Sequence, residues 1–472
     1  VLYSQDFANA AWSAAAGTTL THGQTDPNGG TTATKIEFSA SGQAFEQEIA
    51  GFSTSEIHAF SIWVRCDSGT IDFEMGNLTA LAFETRTATT EWQRFSIFQF
   101  PSATTRYPRF VQSKSASTLY IAFAQLELGI APTDYIATTT APVSAGLLGD
   151  MPRLDYSGGA TCPSLLLEPS RVNLLPQSEY FGASWSASNI TITSNATTSP
   201  EGVDNATLLA NTSASNYLVY GASVSASTTY QFSFYAKNVD ATAANVIFYD
   251  ASNSAVISTT AYEGDLTTEW KRLDFSVTTP VGCTSLNINI VNGLAGSLFV
   301  YGAQFEAASY VSSYIPTYGS ASGRAVDAFN EQITGLTSLS QGTFFLDFDR
   351  GLTTATTRDA SNDGFHYSTT SGFPSSNAIE IASDIDGSVR LALRLGSFQG
   401  IYNDNTLSRY KILVKWEGTS VKAYVNGGLE YNSSIKWGDA TAALEYIGYS
   451  GDFRKSVNQV LTFPTALTDS EA

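Results

Sequence analysis

Few residues in this chain have the types and spacing that chemistry needs. Three histidines, His22, His58 and His366, lie far apart, and none is spaced as a metal ligand. His366, in Asp363-Gly364-Phe365-His366-Tyr367, reads as a loop or rim residue rather than a base. Asp347 and Asp349 flank Phe348, so a strand there puts both carboxylates on one face. Paired carboxylates serve a glycosidase or a cation, but solvent-facing acids around a core Phe348 are the simpler expectation. Gln125 and Glu127, and again Gln304 and Glu306, form Gln-x-Glu pairs on one face of a strand. Their oxygens suit a hard cation such as calcium; an outward carboxylate paired with a nearby Arg or Lys is the plainer alternative. A last chemistry is the stacking of a sugar on an exposed ring, with polar groups fixing its hydroxyls. Trp437, Tyr310 and His366 are the candidates for it, and Ile435-Lys436-Trp437-Gly438-Asp439 reads as an exposed loop. Nothing points to a Ser/His/Asp or Cys/His arrangement, and the expectation is a protein that is not an enzyme.

The 472 residues hold 24 basic and 43 acidic side chains, for a net charge of -19. A field of that sign repels phosphate backbones, so nucleic acid is not an expected partner. Charged residues make up 14% of the chain, and Ser, Thr, Ala, Gly, Asn, Tyr and Phe take their place. That is the composition of a β-rich, extracellular-type protein. Cys66, Cys162 and Cys283 are odd in number and far apart, which excludes a disulfide framework and a zinc spacing. No apolar run has transmembrane length, so membrane insertion is not expected.

The elements that position these residues come in two copies. Phe60-Ser61-Ile62-Trp63-Val64-Arg65 answers to Phe232-Ser233-Phe234-Tyr235-Ala236-Lys237, and Glu91-Trp92-Gln93-Arg94 to Glu269-Trp270-Lys271-Arg272. Pro27 answers to Pro200 and Gln125 to Gln304, so the offset drifts by only a few residues across the copy. Trp12 and Trp185 recur at matching positions, which favours a shared core role over a ligand role. Trp63, Trp92, Trp270 and Trp416 fall in strand-like runs and are also expected in the core. Alternation of polar and apolar residues, as in Thr229–Ala236 and Leu286–Ile290, argues for half-buried strands throughout. The expected fold is all-β: two tandem antiparallel β-sandwich (jelly-roll) domains over 1–141 and 172–318, then a different sandwich over 319–472. Between the copies, 142–171 holds the apolar run Leu165–Leu167 and reads as an ordered connector packed on a neighbouring module or subunit. Copy 1 starts midway through a strand that copy 2 has in full, and the chain ends on what looks like a helix N-cap at Thr468. Both suggest a segment of a longer polypeptide.

Several stretches carry a resemblance. They are Pro152-Arg153-Leu154-Asp155-Tyr156, Cys162-Pro163, Leu166-Leu167-Glu168-Pro169, Arg171 and Asn173-Leu174-Leu175, then Ser178-Glu179-Tyr180-Phe181 and Trp185. With the closing Tyr301–Glu306, Tyr314-Ile315-Pro316-Thr317 and Arg324-Ala325-Val326-Asp327, they resemble bacteriophage virion and tail-fibre proteins. Those proteins carry tandem jelly rolls similar to carbohydrate-binding modules. The hairpin from Trp416 to Asn426-Gly427 and the ending Phe463–Glu471 resemble a concanavalin-A/laminin-G-like sandwich. The resemblance implies a fibre or spike on the virion surface that binds a host-surface glycan. It also implies other virion proteins as partners and a homo-oligomer, a trimer by preference. It further implies structural calcium near the first and last strands of each module, with Gln5 and Glu127 as ligands in copy 1 and Glu179 and Glu306 in copy 2. Two alternatives stand beside it: the non-catalytic carbohydrate-binding segment of a polysaccharide-degrading enzyme, and a purely structural virion decoration.

Overall fold

The period-two pattern resolves into antiparallel two-sheet sandwiches. A computed structural model describes residues 1–144, 152–156, 163–182, 184–213, 215–332, 340–350, 364–369, 377–383, 388–395, 398–434, 444, 446–450 and 455–470. Among these, helix is limited to one 3-10 turn, Glu263–Asp265, and no helix is long and apolar enough to cross a membrane. The chain divides into two compact units. One holds Val1–Leu148, Asn173–Ala307 and Ser313–Ser322; the other holds Gly149–Val172, Ala308–Ser312 and Gly323–Ala472.

The first unit contains both copies, and their topologies agree strand for strand. One sheet of copy 1 runs Trp12–Ala14, Ala44–Gln47, Arg109–Ser113, Ile71–Gly76, Phe83–Ala88. Its counterpart in copy 2 runs Ser186–Ser188, Tyr217–Ser223, Ser285–Ala295, Ala243–Asp250, Ala255–Ala261. The other sheet of copy 1 runs Thr18–Gln24, Ala33–Phe38, Ser117–Leu128, His58–Cys66, Gln93–Gln99. Copy 2 repeats it as Ile190–Thr197, Ala206–Asn211, Ser297–Glu306, Thr229–Asn238, Lys271–Thr278. The chain crosses repeatedly from one sheet to the other, as in a jelly roll, except at two hairpins per copy that stay within a sheet: Thr18–Gln24 with Ala33–Phe38 and Ile71–Gly76 with Phe83–Ala88 in copy 1.

Alternation decides which face is buried. In Lys271–Thr278, Leu273, Phe275 and Val277 are buried while Lys271, Asp274, Ser276 and Thr278 are exposed. Each such apolar side chain contributes about 1.5–3 kcal/mol when removed from water. Trp12 stacks on Phe45 with ring centroids 5.0 Å apart and meets Phe7 edge-on at 5.1 Å. Trp185 takes the same place in copy 2 beside Phe181 and Tyr220. Both tryptophans are core. Trp63 and Trp92 are not part of that core: they are half-buried and pack with Phe123 and Tyr135 in a small cluster of their own. Ile62 and Val64 take the core face of the strand, so the side chain between them must leave it.

The two last strands bulge at equivalent places. Gly302 (φ 62) and Phe123 (φ 54) adopt left-handed backbone where pairing to the neighbouring strand slips. At Gly302 a Cβ would stand 3.3 Å from the rings of Tyr235 and Tyr314.

The second unit is a two-sheet sandwich. Its seven-stranded sheet runs Leu154–Asp155, Ser164–Leu167, Lys455–Phe463, Gln341–Arg350, Arg409–Glu417, Ser420–Val425, Gly428–Ser433. The six-stranded sheet runs Phe329–Gln332, Tyr446–Ser450, Gly364–Ser368, Asn377–Ser383, Val389–Leu395, Phe398–Asp404. Phe344, Leu346, Phe348, Tyr410, Ile412 and Trp416 meet Phe365, Tyr367, Ile379 and Leu391 in its core. The connector therefore supplies the last two strands at one side of that sheet: Leu165 pairs with Val457 and with Leu154, and Leu167 is buried in that core. Glu168 is fully buried between the Arg153 guanidinium (2.7 Å) and Arg324 (3.2 Å). Asp327 accepts from Arg153 and from the Glu168 N–H, closing the clasp.

Candidate functional site

Of the four positions expected to hold calcium, Glu127, Glu179 and Glu306 accept hydrogen bonds from protein groups. Glu127 accepts from Gln125 Nε2 (2.6 Å), Thr133 N (2.9 Å) and Thr133 Oγ1 (2.6 Å). Gln125 Oε1 accepts the Ile136 N–H at 2.8 Å, and Gln304 does the same for Ile315 at 2.7 Å. Gln304 Nε2 also donates to Glu306 at 2.9 Å. In both copies the Gln-x-Glu pair thus pins the loop that follows the last strand. These oxygens face N–H and O–H groups, whereas calcium takes six to eight oxygens that converge on one point. Among the described residues no three His, Cys, Asp or Glu side chains gather into a possible metal site.

Gln5 and Glu179 do correspond. Ser4 Oγ and Ser178 Oγ each lie 2.6 Å from a tyrosine hydroxyl, Tyr135 and Tyr314, and each accepts a backbone N–H at 2.8 Å, from Thr138 and Thr317. Gln5 follows the first serine and Glu179 the second. Glu179 is 2% exposed. Its Oε1 accepts from Tyr314 (3.2 Å), Tyr318 (3.2 Å) and Tyr301 (3.4 Å), and its Oε2 from Asn205 Nδ2 (3.2 Å). The same Asn205 amide reaches Glu201 at 3.3 Å. Burial, and then the Glu201 charge, push the Glu179 carboxyl up to about 7. Copy 1 places Asn28 where copy 2 has Glu201, so this acid pair belongs to copy 2 alone. It also borders the junction of the copies. Tyr318 O accepts the Ile57 N–H at 3.0 Å, Gln177 Nε2 donates to Ser55 O at 3.2 Å, and Tyr180 lies edge-on to Phe98 and Phe100.

The aromatic candidates fare differently. Tyr310 is 5% exposed, with the Arg171 guanidinium 5.1 Å over its ring, so it offers no open stacking face. His366 is not on a rim. It sits in the strand Gly364–Ser368, 5% exposed, paired in register with Glu380, and burial lowers its imidazole to about 4. Trp437 lies outside the described residues. Asp347 is not free for catalysis: Arg409 holds it through two contacts of 2.8 Å. Asp349 takes Asn458 at 2.9 Å.

What the sequence reading missed is a polar outer sheet face in each copy. In copy 1, Arg109 Nε meets Glu46 at 2.8 Å and its Nη1 reaches Gln112 Oε1 at 2.5 Å. Gln112 Nε2 passes the network to Glu74 at 2.7 Å, and Lys114 Nζ lies 3.6 Å from Glu74 and 3.1 Å from Thr85 Oγ1. Phe45, Phe110, Phe73 and Met75, which alternate with these residues, fill the core. The half-buried Phe83 ring lies 5.5 Å from the Arg109 guanidinium at the sheet edge. A row of fixed carboxylate, amide and guanidinium groups beside a ring is the equipment for binding a hydroxyl-rich molecule. In copy 2 the same face carries Asn287, Asn289 and Asn292 from the central strand. The signal was present in Leu286-Asn287-Ile288-Asn289-Ile290, but only the register shows what stands beside each amide.

No protein-family model matches the chain, and no curated protein matches it. Solved structures do align. The tandem CBM22 domains of Paenibacillus barcinonensis Xyn10C are 11% identical, over 63% of this chain and 94% of that one, with a TM-score of 0.26. The enzymatically active domain of bacteriophage CBA120 tailspike protein 4 is 16% identical over 27% and 20%, with a TM-score of 0.23. The CBM22-1–GH10 modules of Clostridium thermocellum xylanase 10B are 12% identical over 31% and 30%, also at 0.23. At these scores the likeness carries no argument about this chain.

Proposed function

We propose that this chain is a non-catalytic glycan-binding protein of a virion surface, a fibre or spike that attaches to host saccharides. The observation that carries the reading is the polar outer face of copy 1, where Glu46, Arg109, Gln112 and Glu74 form one hydrogen-bonded row and Lys114 stands 3.6 Å from Glu74. Such a row is pre-organised, so a ligand orders few side chains on binding. Lys114, at one end of it, is exposed, and Glu46, at the other, is half-buried. Placement on a virion, and assembly as a homotrimer, extend this reading from the resemblance of residues 152–175 and 301–327 to virion proteins.

The test is retention of the purified chain on immobilised host envelopes and on a panel of polysaccharides. Binding that falls about tenfold in Arg109→Ala, with an unchanged thermal transition, supports the reading. Failure to bind any envelope or polysaccharide overturns it. Sedimentation equilibrium tests the trimer separately, and a monomer at all concentrations removes that part.

A further inference from the structure

We propose that the outward face of the sheet containing Ser285–Ala295, in copy 2, is a binding surface for an uncharged polysaccharide. The proposal rests on the glycan-binding reading and gives this second face a ligand class of its own.

The residues on that face follow from the pairing. Leu286, Ile288 and Ile290 are core, so Asn287 and Asn289 point away from it. Asn287 stands between Gly221 and Tyr249, Asn289 between Val219 and Ile247, and Asn292 between Tyr217 and Asn245. Asn287 and Asn289 make no side-chain hydrogen bond among the described residues, and both are half-exposed. Their amides are therefore available, each with two donors and an acceptor. Two positions along a strand are about 7 Å apart, so the two amides reach hydroxyl groups at separate points of one saccharide chain. Asn245 Nδ2 donates to Asn292 O at 3.0 Å, which fixes that amide. Tyr217, 41% exposed, and Tyr249 supply rings at two corners, with Val219 and Ile247 between them. At Gly221 a Cβ would come within 3.4 Å of Asn287 Oδ1, so its absence keeps the amide clear.

Charge selects the ligand. The five strands of this sheet contain one charged residue, Asp250. It is 1% exposed and turned to the Ser252 and Asn253 amides. The equivalent sheet of copy 1 presents Glu46, Glu74, Asp72 and Arg109. In a chain of net charge -19, a face without charge has no partner to offer a uronate or sulfate, and the surrounding field repels both. A polymer bearing only hydroxyls loses nothing there, because amides both donate and accept.

Native electrophoresis of the full chain through gels holding starch, galactomannan, polygalacturonate or alginate tests this. The expected result is retardation by a neutral polymer that is unchanged by salt. It should drop on the order of tenfold in Asn287→Ala and in Asn289→Asp. Asn289→Asp keeps the side-chain shape, and thermal transitions matching wild type confirm that both variants fold. Neutral-polymer binding that survives both substitutions, or binding confined to the acidic polymers, overturns this assignment and leaves glycan binding standing. No retardation by any of the four polymers, nor by host envelope polysaccharide, overturns both.

Discussion

Gln5 and Glu179 occupy the same post in the two copies, each one residue beyond a serine hydroxyl that lies 2.6 Å from a tyrosine hydroxyl. One copy fills the post with a neutral amide, and the other with a carboxyl buried among three phenols. Glu179 rises from 4.5 to about 7 on folding. A raised carboxyl contributes its full stability below the unfolded value and loses it as pH climbs through the folded one. The first unit should therefore weaken between pH about 4.5 and 7, by up to about 3 kcal/mol from this group. Glu179→Gln, which installs the residue of copy 1, should flatten that slope and raise stability at pH 8. Urea unfolding at pH 5 and pH 8 checks it. A wild type no weaker than the variant at pH 8 would count against a buried, protonated Glu179.

The buried tryptophans predict a separation of stability from binding. Trp185→Ala and Trp12→Ala should each cost about 3–5 kcal/mol, since each removes a large ring from a packed core. At temperatures where these variants remain folded, polysaccharide retention should match wild type. Calorimetry with a retention assay reads both. Loss of retention in a folded variant would return Trp12 or Trp185 to the binding surface.

The clasp around Glu168 predicts asymmetric damage. Arg153→Ala strips one guanidinium from a fully buried carboxylate and should destabilise the second unit by roughly 3 kcal/mol. Combining Arg153→Met with Glu168→Gln removes charge from both partners and should cost less than Arg153→Ala alone. Melting of the three proteins gives the comparison; a double variant worse than the single one would mean that charge is not the issue.

Burial of the two described cysteines predicts inertness. Cys66 and Cys283 are each 0% exposed and unbridged, and burial raises the Cys283 thiol. A thiolate is the reacting species, so both should resist maleimide until urea unfolds the chain. Peptide mapping after labelling shows this directly, and native labelling at either position would refute the packing.

Much of the fold was legible because period two is a local signal. Leu273, Phe275 and Val277 announce a buried face without help from any distant residue. The comparison of copies was enough to move Trp12 and Trp185 inward. The candidate site was less legible. Tyr310 and His366 look like platform and rim residues in sequence, yet tertiary packing closes over both. Glu179 gives no sign of its environment, because Tyr301, Tyr314 and Tyr318 lie more than a hundred residues away. The row from Glu46 to Lys114 is assembled from three strands distant in sequence, and only register brings it together.

The strand Ser164–Leu167 pairs with Lys455–Phe463, while copy 2 and most of the second sandwich lie between them in sequence. The jelly roll of copy 2 is thus spliced into the gene segment of its neighbour. Its two crossings, Arg171–Asn173 and Ser322–Arg324, run side by side as a two-stranded ribbon. At about 5–20 residues per second, a ribosome making this chain would leave Leu165 and Leu167 without their partner for tens of seconds. Copy 2 can complete itself in that interval; the second sandwich cannot. Translation therefore imposes an order of assembly in which one module can finish while the segments that precede and follow it in sequence still await each other.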